Sequence, residues 1–116
     1  MTPPVETVRL SQRAKERLLI VRRQSGIEHW NILCRWALCL SLNSSSEPKP
    51  YKDSISSSVE ITWKTLGNEH SNKISSLVIL RYMKSSQECS ISEYLYRHLE
   101  RGLEELISYK PLMLQS

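Results

Sequence analysis

Residues 28–41, EHWNILCRWALCLS, carry the pattern that most restricts how this chain can fold. The spacing predicts a helix over this stretch, with Trp30, Leu33, Cys34, Ala37, Leu38 and Ser41 sharing one face. Ile32, Trp36, Cys39 and Leu40 make the other side apolar too. A helix apolar nearly all round must be buried, in the middle of a fold or in a contact between subunits. The chain has 116 residues, the length of one domain, and offers little else to surround such a helix. Self-association is therefore expected.

The elements around this helix follow from shorter signals. Val5, Thr7 and Arg9 alternate with Glu6, Val8 and Leu10, which reads as a brief strand or extended arm. Ser11 is placed to cap a helix over residues 12–24, whose apolar Ala14, Leu18 and Val21 fall at i, i+4 and i+7. Gly26 is placed to end that helix in a left-handed conformation. Residues 43–58 are rich in Ser with two Pro, the composition of a flexible loop. VEITWKT, residues 59–65, alternates as a strand would, with Gly67 and Asn68 turning the chain after it. A helix is expected over residues 72–86, with Ile74, Leu77, Val78 and Arg81 on one side. A last helix starts at the capping-box pair Ser90 and Glu93, carries the stripe Leu95, Leu99, Leu103 and Leu106, and stops at Lys110-Pro111. The fold expected is one mainly α domain: a ribbon-helix-helix-like N-terminal half, two further helices, and assembly into a compact helical oligomer. In ribbon-helix-helix proteins the strand pairs between subunits and the second helix is buried.

Charge is distributed unevenly along this plan. The net charge is +4, and all of the excess lies in residues 1–46, which hold seven Lys/Arg and three acids; residues 47–116 balance nine against nine. The segment VRLSQRAKERLLIVRR, residues 8–23, has six cations and one acid. Arg13 and Arg17 stand four apart on the first helix, Lys15 and Arg22 seven apart, so they line two adjacent ridges. Arg9 enters from the strand. The helix N-terminus at Ser11, beside Arg9 and Arg13, has the donors and dipole suited to one phosphate. Arg9, Arg13, Lys15, Arg17, Arg22 and Arg23 are the candidate DNA-binding residues. No set of Asn or Gln side chains accompanies them to read bases, so contact with the phosphate backbone is expected.

Other chemistry is poorly represented. Three glycines cannot build a phosphate loop, and no metal-ligand spacing occurs among His29, His70 and His98 or among Cys34, Cys39 and Cys89. An odd number of cysteines without a C-x-x-C pair reads as reduced, buried side chains. Cys34 precedes Arg35, but sequence neighbours on a helix point about 100° apart, which gives no activated nucleophile. No catalytic residue, cofactor or metal is expected. The N-terminus lacks the basic and apolar regions of a signal peptide, and no apolar run is long enough to cross a bilayer, so the chain is read as cytoplasmic.

Four segments, VRLSQRAKERL, SGIEHWNILCRWALCLSL, ITWKTLGNEHS and HLERGLEEL, resemble the DndE family of DNA sulfur-modification proteins, over about residues 5–108. The resemblance implies a non-catalytic small subunit of the DNA phosphorothioation machinery. That machinery replaces a non-bridging phosphate oxygen by sulfur, alongside a cysteine desulfurase and other subunits. It further implies a homotetramer that binds double-stranded DNA, with a preference for nicked duplex, through a basic face. Here that face corresponds to Arg13, Lys15, Arg17, Arg22 and Arg23; its being mostly arginine alters geometry, not charge. Gly26 and the Arg101-Gly102 pair also match. Two other readings compete: a ribbon-helix-helix regulator that reads an operator, and an enzyme such as a nickase or a cysteine-based sulfur carrier.

Overall fold

A computed structural model describes residues 2–51 and 55–108, and the protein it shows is mainly helical. The elements are β1 (Thr7–Ser11), α1 (Gln12–Ser25), α2 (Trp30–Leu42), β2 (Ser56–Thr62), α3 (Trp63–Gly67), a 3-10 turn (Asn68–His70), α4 (Ser71–Lys84) and α5 (Ile91–Ser108). The end of the last helix expected at Lys110-Pro111 lies outside the described residues.

The two strands pair antiparallel inside the chain, with Val8 opposite Ile61 and Arg9 opposite Glu60. Period-2 alternation turns Val8, Leu10 and Ile61 into the core and Arg9 and Glu60 outward. Each strand ends by capping a helix. Ser11 Oγ accepts from the Ala14 N–H at 3.0 Å, and Thr62 Oγ1 accepts from the Thr65 N–H at 3.2 Å. The ladder continues past both ends: Gln12 N–H donates to the Ile55 carbonyl at 2.7 Å, Trp63 N–H to that of Glu6 at 2.8 Å.

Several expectations shift here. The order strand, helix, helix is present, but β1 finds its partner in β2 of the same chain. The loop expected over 43–58 gives way to the strand at Ser56, and the strand expected over 59–65 turns helical at Trp63 because Thr62 caps there. Trp63 is thereby buried, its indole N–H donating to Ser75 Oγ at 2.7 Å.

α1 buries Ala14, Leu18 and Val21 and ends at Gly26, whose φ of 76° lies in the left-handed region and whose N–H donates to the Arg22 carbonyl at 2.9 Å. α2 is more fully surrounded by its own chain than the sequence reading allowed. α5, α1, α3 and α4 all touch it, and Leu33, Cys34, Ala37, Leu38, Ser41 and Leu42 are buried. Trp36, 45% exposed, and Cys39 face outward. The last turn of α2 has no basic residue. Its carbonyls are capped from other helices: Arg81 of α4 donates to the Leu42 carbonyl at 2.6 Å, and Arg101 of α5 to that of Ser41 at 2.7 Å. The cations also complement the negative end of the helix dipole. Residues 43–51 are held in turn, with Arg81 on the Ser44 carbonyl, Arg101 on that of Ser46, and Gln87 on that of Pro48. On α4 the buried side is Ile74, Ser75 and Val78; Leu77, expected with them, faces outward.

α5 buries Leu95, Leu99, Leu103 and Leu106 as its stripe requires, and Ser90 Oγ accepts from the Glu93 N–H at 3.1 Å. It lies so close to α2 that a Cβ on Gly102 would stand 1.9 Å from the Ala37 carbonyl oxygen. Backbone has no rotamer with which to yield. Gly102→Ala is therefore expected to destabilise the protein by about 3 kcal/mol or more, the upper range for overpacking. Gly26→Ala, which meets open space but keeps the positive φ, should cost about 1 kcal/mol. Urea midpoints of the two variants check the order; equal losses would mean that the helices part easily.

Candidate nucleic-acid interface

The candidate cations divide according to how α1 sits in the fold. Ala14, Leu18 and Val21 face inward, which turns Arg13 and Arg17 along one flank toward α5 and Lys15 and Arg22 along the other. Glu100 of α5, 5% exposed, receives the first flank. Its Oε2 lies 3.4 Å from Arg17 Nη1 and 3.8 Å from Arg13 Nε. Its Oε1 accepts from Ser11 Oγ at 2.9 Å, while the same hydroxyl oxygen caps α1. A carboxylate of the protein itself thus stands at the helix N-terminus, where the sequence suggested a phosphate. Charge and dipole favour an anion there, and the fold supplies one.

The other cations are disposed differently. Arg9 pairs across the sheet with Glu60 at 3.2 Å, both side chains largely in water, so the pair holds Arg9 only weakly. Lys15 is half-buried, while Arg22 and Arg23 are exposed on the last turn of α1. Among the described residues these three have no acidic partner. Arg22 lies over the Trp30 ring at 5.5 Å from its centroid, which fixes its direction without neutralising it.

The fold also adds cations that the charge balance along the sequence concealed. A cleft between α1, residues 46–51 and α5 is lined by Arg13 and Arg17 together with Lys49, Arg97 and Arg101, and by Glu47, Glu100 and Glu104. Arg97 and Arg101 have Glu93 and Glu105 at i−4 and i+4, so from sequence they read as self-paired. Only the topology brings them beside α1. Lys49 is exposed and has no ion-pair partner among the described residues.

Among the groups that could do covalent chemistry, Cys34 is buried, Cys39 is exposed and Cys89 is half-buried. Burial pushes the Cys34 thiol up to about 12, and burial also raises that of Cys39, with Arg35 opposing. Ser41 Oγ and His98 Nδ1 are 2.7 Å apart, a spacing seen in nucleophile and base pairs. Both residues are fully buried between α2 and α5. Arg101 Nε can only donate, and it donates to Ser41 Oγ at 2.8 Å. The serine oxygen and Nδ1 share one hydrogen bond beside that contact, and no partner reaches His98 Nε2 among the described residues. Tyr94, whose ring stands edge-on to that of His98, donates to Glu47 Oε2 at 2.7 Å. No cluster of His, Cys, Asp or Glu suited to a metal occurs among the described residues. Nor is any helix among them long and apolar enough to cross a membrane.

Fold and surface together define a small, mainly helical protein whose accessible chemistry is cationic side chains carried by a helix. A family model, described as DNA sulphur modification protein DndE, matches residues 7–113. The chain belongs to the DndE family, and its role is in DNA sulphur modification. No curated protein matches it.

The buried histidine gives this region a pH dependence. Desolvation, then repulsion from Arg101 and Arg81, hold His98 down at about 4, against an ordinary value of 6.5; Glu47 acts weakly the other way. As pH falls below 6.5 the unfolded chain takes up the proton first, so stability is complete above that value and declines until about 4. The loss amounts to about 3 kcal/mol at most. Unfolding free energies measured across that interval should fall less steeply for His98→Gln than for the parent protein. Parallel slopes would refute the assignment.

Proposed function

We propose that this chain is a non-catalytic DNA-binding subunit of the phosphorothioation machinery and that it holds the duplex by its phosphates. The observation that carries this reading is that Lys15, Arg22 and Arg23 project from a helix anchored in the core and meet no acid among the described residues. Arg9, on the strand that leads into α1, and Lys49, in the cleft beside Arg13 and Arg17, add further cations. Arg13 and Arg17, held by Glu100, line the neighbouring cleft. Contacts of this kind give affinity without sequence preference. The in-chain pairing of β1 favours this over an operator-reading ribbon-helix-helix regulator, whose ribbon is shared between two chains.

The protein works in the cytoplasm beside a cysteine desulfurase and the other subunits, as a homotetramer. Trp36, exposed on the outer side of α2, is an apolar surface for contact between copies. Preference for nicked duplex follows from deformability, because a nick lets DNA bend around a basic oligomer at little cost.

Binding measured over a range of salt concentrations tests the reading. Lys15→Gln, Arg22→Gln and Arg23→Gln should each lower the slope of log K against log salt by about 0.9. Arg17→Gln should instead act mainly on stability, by about 1–2 kcal/mol, because it deprives buried Glu100 of a partner. If the three outward substitutions change neither affinity nor slope, α1 carries only a solvated face. Equal affinity for nicked and intact duplex would remove the nick preference alone.

A further inference from the structure

α4 presents a second surface, unrelated to the cations of α1. Leu77, Leu80 and Met83 are 47%, 54% and 73% exposed along its outer side. Lys73 and Lys84 flank them, so that Lys73, Leu77, Leu80 and Lys84 follow one another at i, i+4, i+7 and i+11. That spacing lays them in a single ridge, as at the seam of two packed helices. The ridge is rigid, since the opposite side of α4 is fixed by buried Ile74 and Val78, by the Trp63–Ser75 hydrogen bond and by the Arg81 cap on α2. Leaving three large apolar side chains of one helix in water is unfavourable without an occupant.

Charge identifies that occupant. α4 contains no acid, and neither lysine has an ion-pair partner among the described residues. A second copy of the chain fits badly. Antiparallel packing of two ridges about the midpoint of Leu77 and Leu80 sets Lys73 against the second copy's Lys84. A parallel arrangement sets each lysine against itself. A nucleic acid would pair the lysines and leave the leucines wet. A bilayer would need more cations than two and a freely inserting helix, whereas α4 is locked into the core.

We propose that the outer face of α4 docks an amphipathic helix of a different protein, whose apolar stripe is flanked by Asp or Glu. Leu77, Leu80 and Met83 pack into that stripe, while Lys73 and Lys84 pair with the acids at its two ends and set its register. The contact is separate from DNA binding.

The full chain tests this with two labelled helical peptides that share leucines at i, i+4 and i+7. One carries glutamates on both flanks and the other lysines. The glutamate peptide should bind about tenfold tighter or better. Leu77→Gln with Leu80→Gln should abolish that binding without lowering the unfolding midpoint, because both side chains are exposed. Lys73→Glu with Lys84→Glu should reverse the preference in favour of the lysine peptide, a result that misfolding cannot mimic. Equal binding of the two peptides, or binding that survives the leucine changes, overturns the proposal. So does a change of oligomeric state in the leucine variant, which would make the ridge a contact between copies. Loss of binding to anionic vesicles in that variant, with no peptide bound by the parent, would assign the face to lipid instead.

Discussion

The contact of Gly102 with the backbone of Ala37 sets the geometry of this protein. Two helices can approach to this distance only where one of them has no side chain. Once α5 is seated against α2 at Gly102, its rotation is decided. Leu95, Leu99 and Leu103 enter the core, His98 meets Ser41, and Arg101 reaches the carbonyl end of α2. Glu100, two residues before the glycine, is turned to α1. The placement of the charged groups is thus a consequence of a steric fact in the core.

Glu100 then determines what the basic helix can do. An isolated buried carboxylate is expensive, and here two guanidinium groups and a serine hydroxyl compensate it. Because Arg13 and Arg17 are needed for that compensation, they are anchors first. Both line the cleft between α1, residues 46–51 and α5. Lys15, Arg22 and Arg23 are held by no acid among the described residues, and Arg22 is directed by the Trp30 ring. One helix therefore presents a fixed flank and an open flank.

Much of the architecture was legible because local rules decided it. Ser11 and Ser90 begin helices where hydroxyl caps are expected, Gly26 ends one, and the stripes of α1 and α5 are buried as their spacing requires. What was not legible depends on contacts distant in sequence. β1 and β2 are about fifty residues apart, and neither strand states its partner. Leu77 reads as core from periodicity, yet the fold has nothing to place over that side of α4. The six candidate cations were identifiable as cations, but their division into anchored and open groups was not. It depends on Glu100, which sits inside a run of alternating charge on α5 and looks there like any solvated acid.

The same internal use of charge bears on affinity. Residues 47–116 are neutral in sum, and their three arginines are used internally: Arg81 and Arg101 cap α2, and Arg97 pairs with Glu93. On α1, two arginines share one buried carboxylate, and Arg9 is offset by Glu60. Lys15, Arg22 and Arg23 are the cations of α1 that meet no acid among the described residues. Three phosphate contacts correspond to a salt slope near 3, characteristic of weak binding at physiological ionic strength. On the function proposed above, several copies that present their α1 surfaces to the same duplex would hold it far more firmly than one copy does. On that proposal Trp36, exposed on the outer side of α2 and offered for contact between copies, bears on DNA affinity as directly as the arginines do.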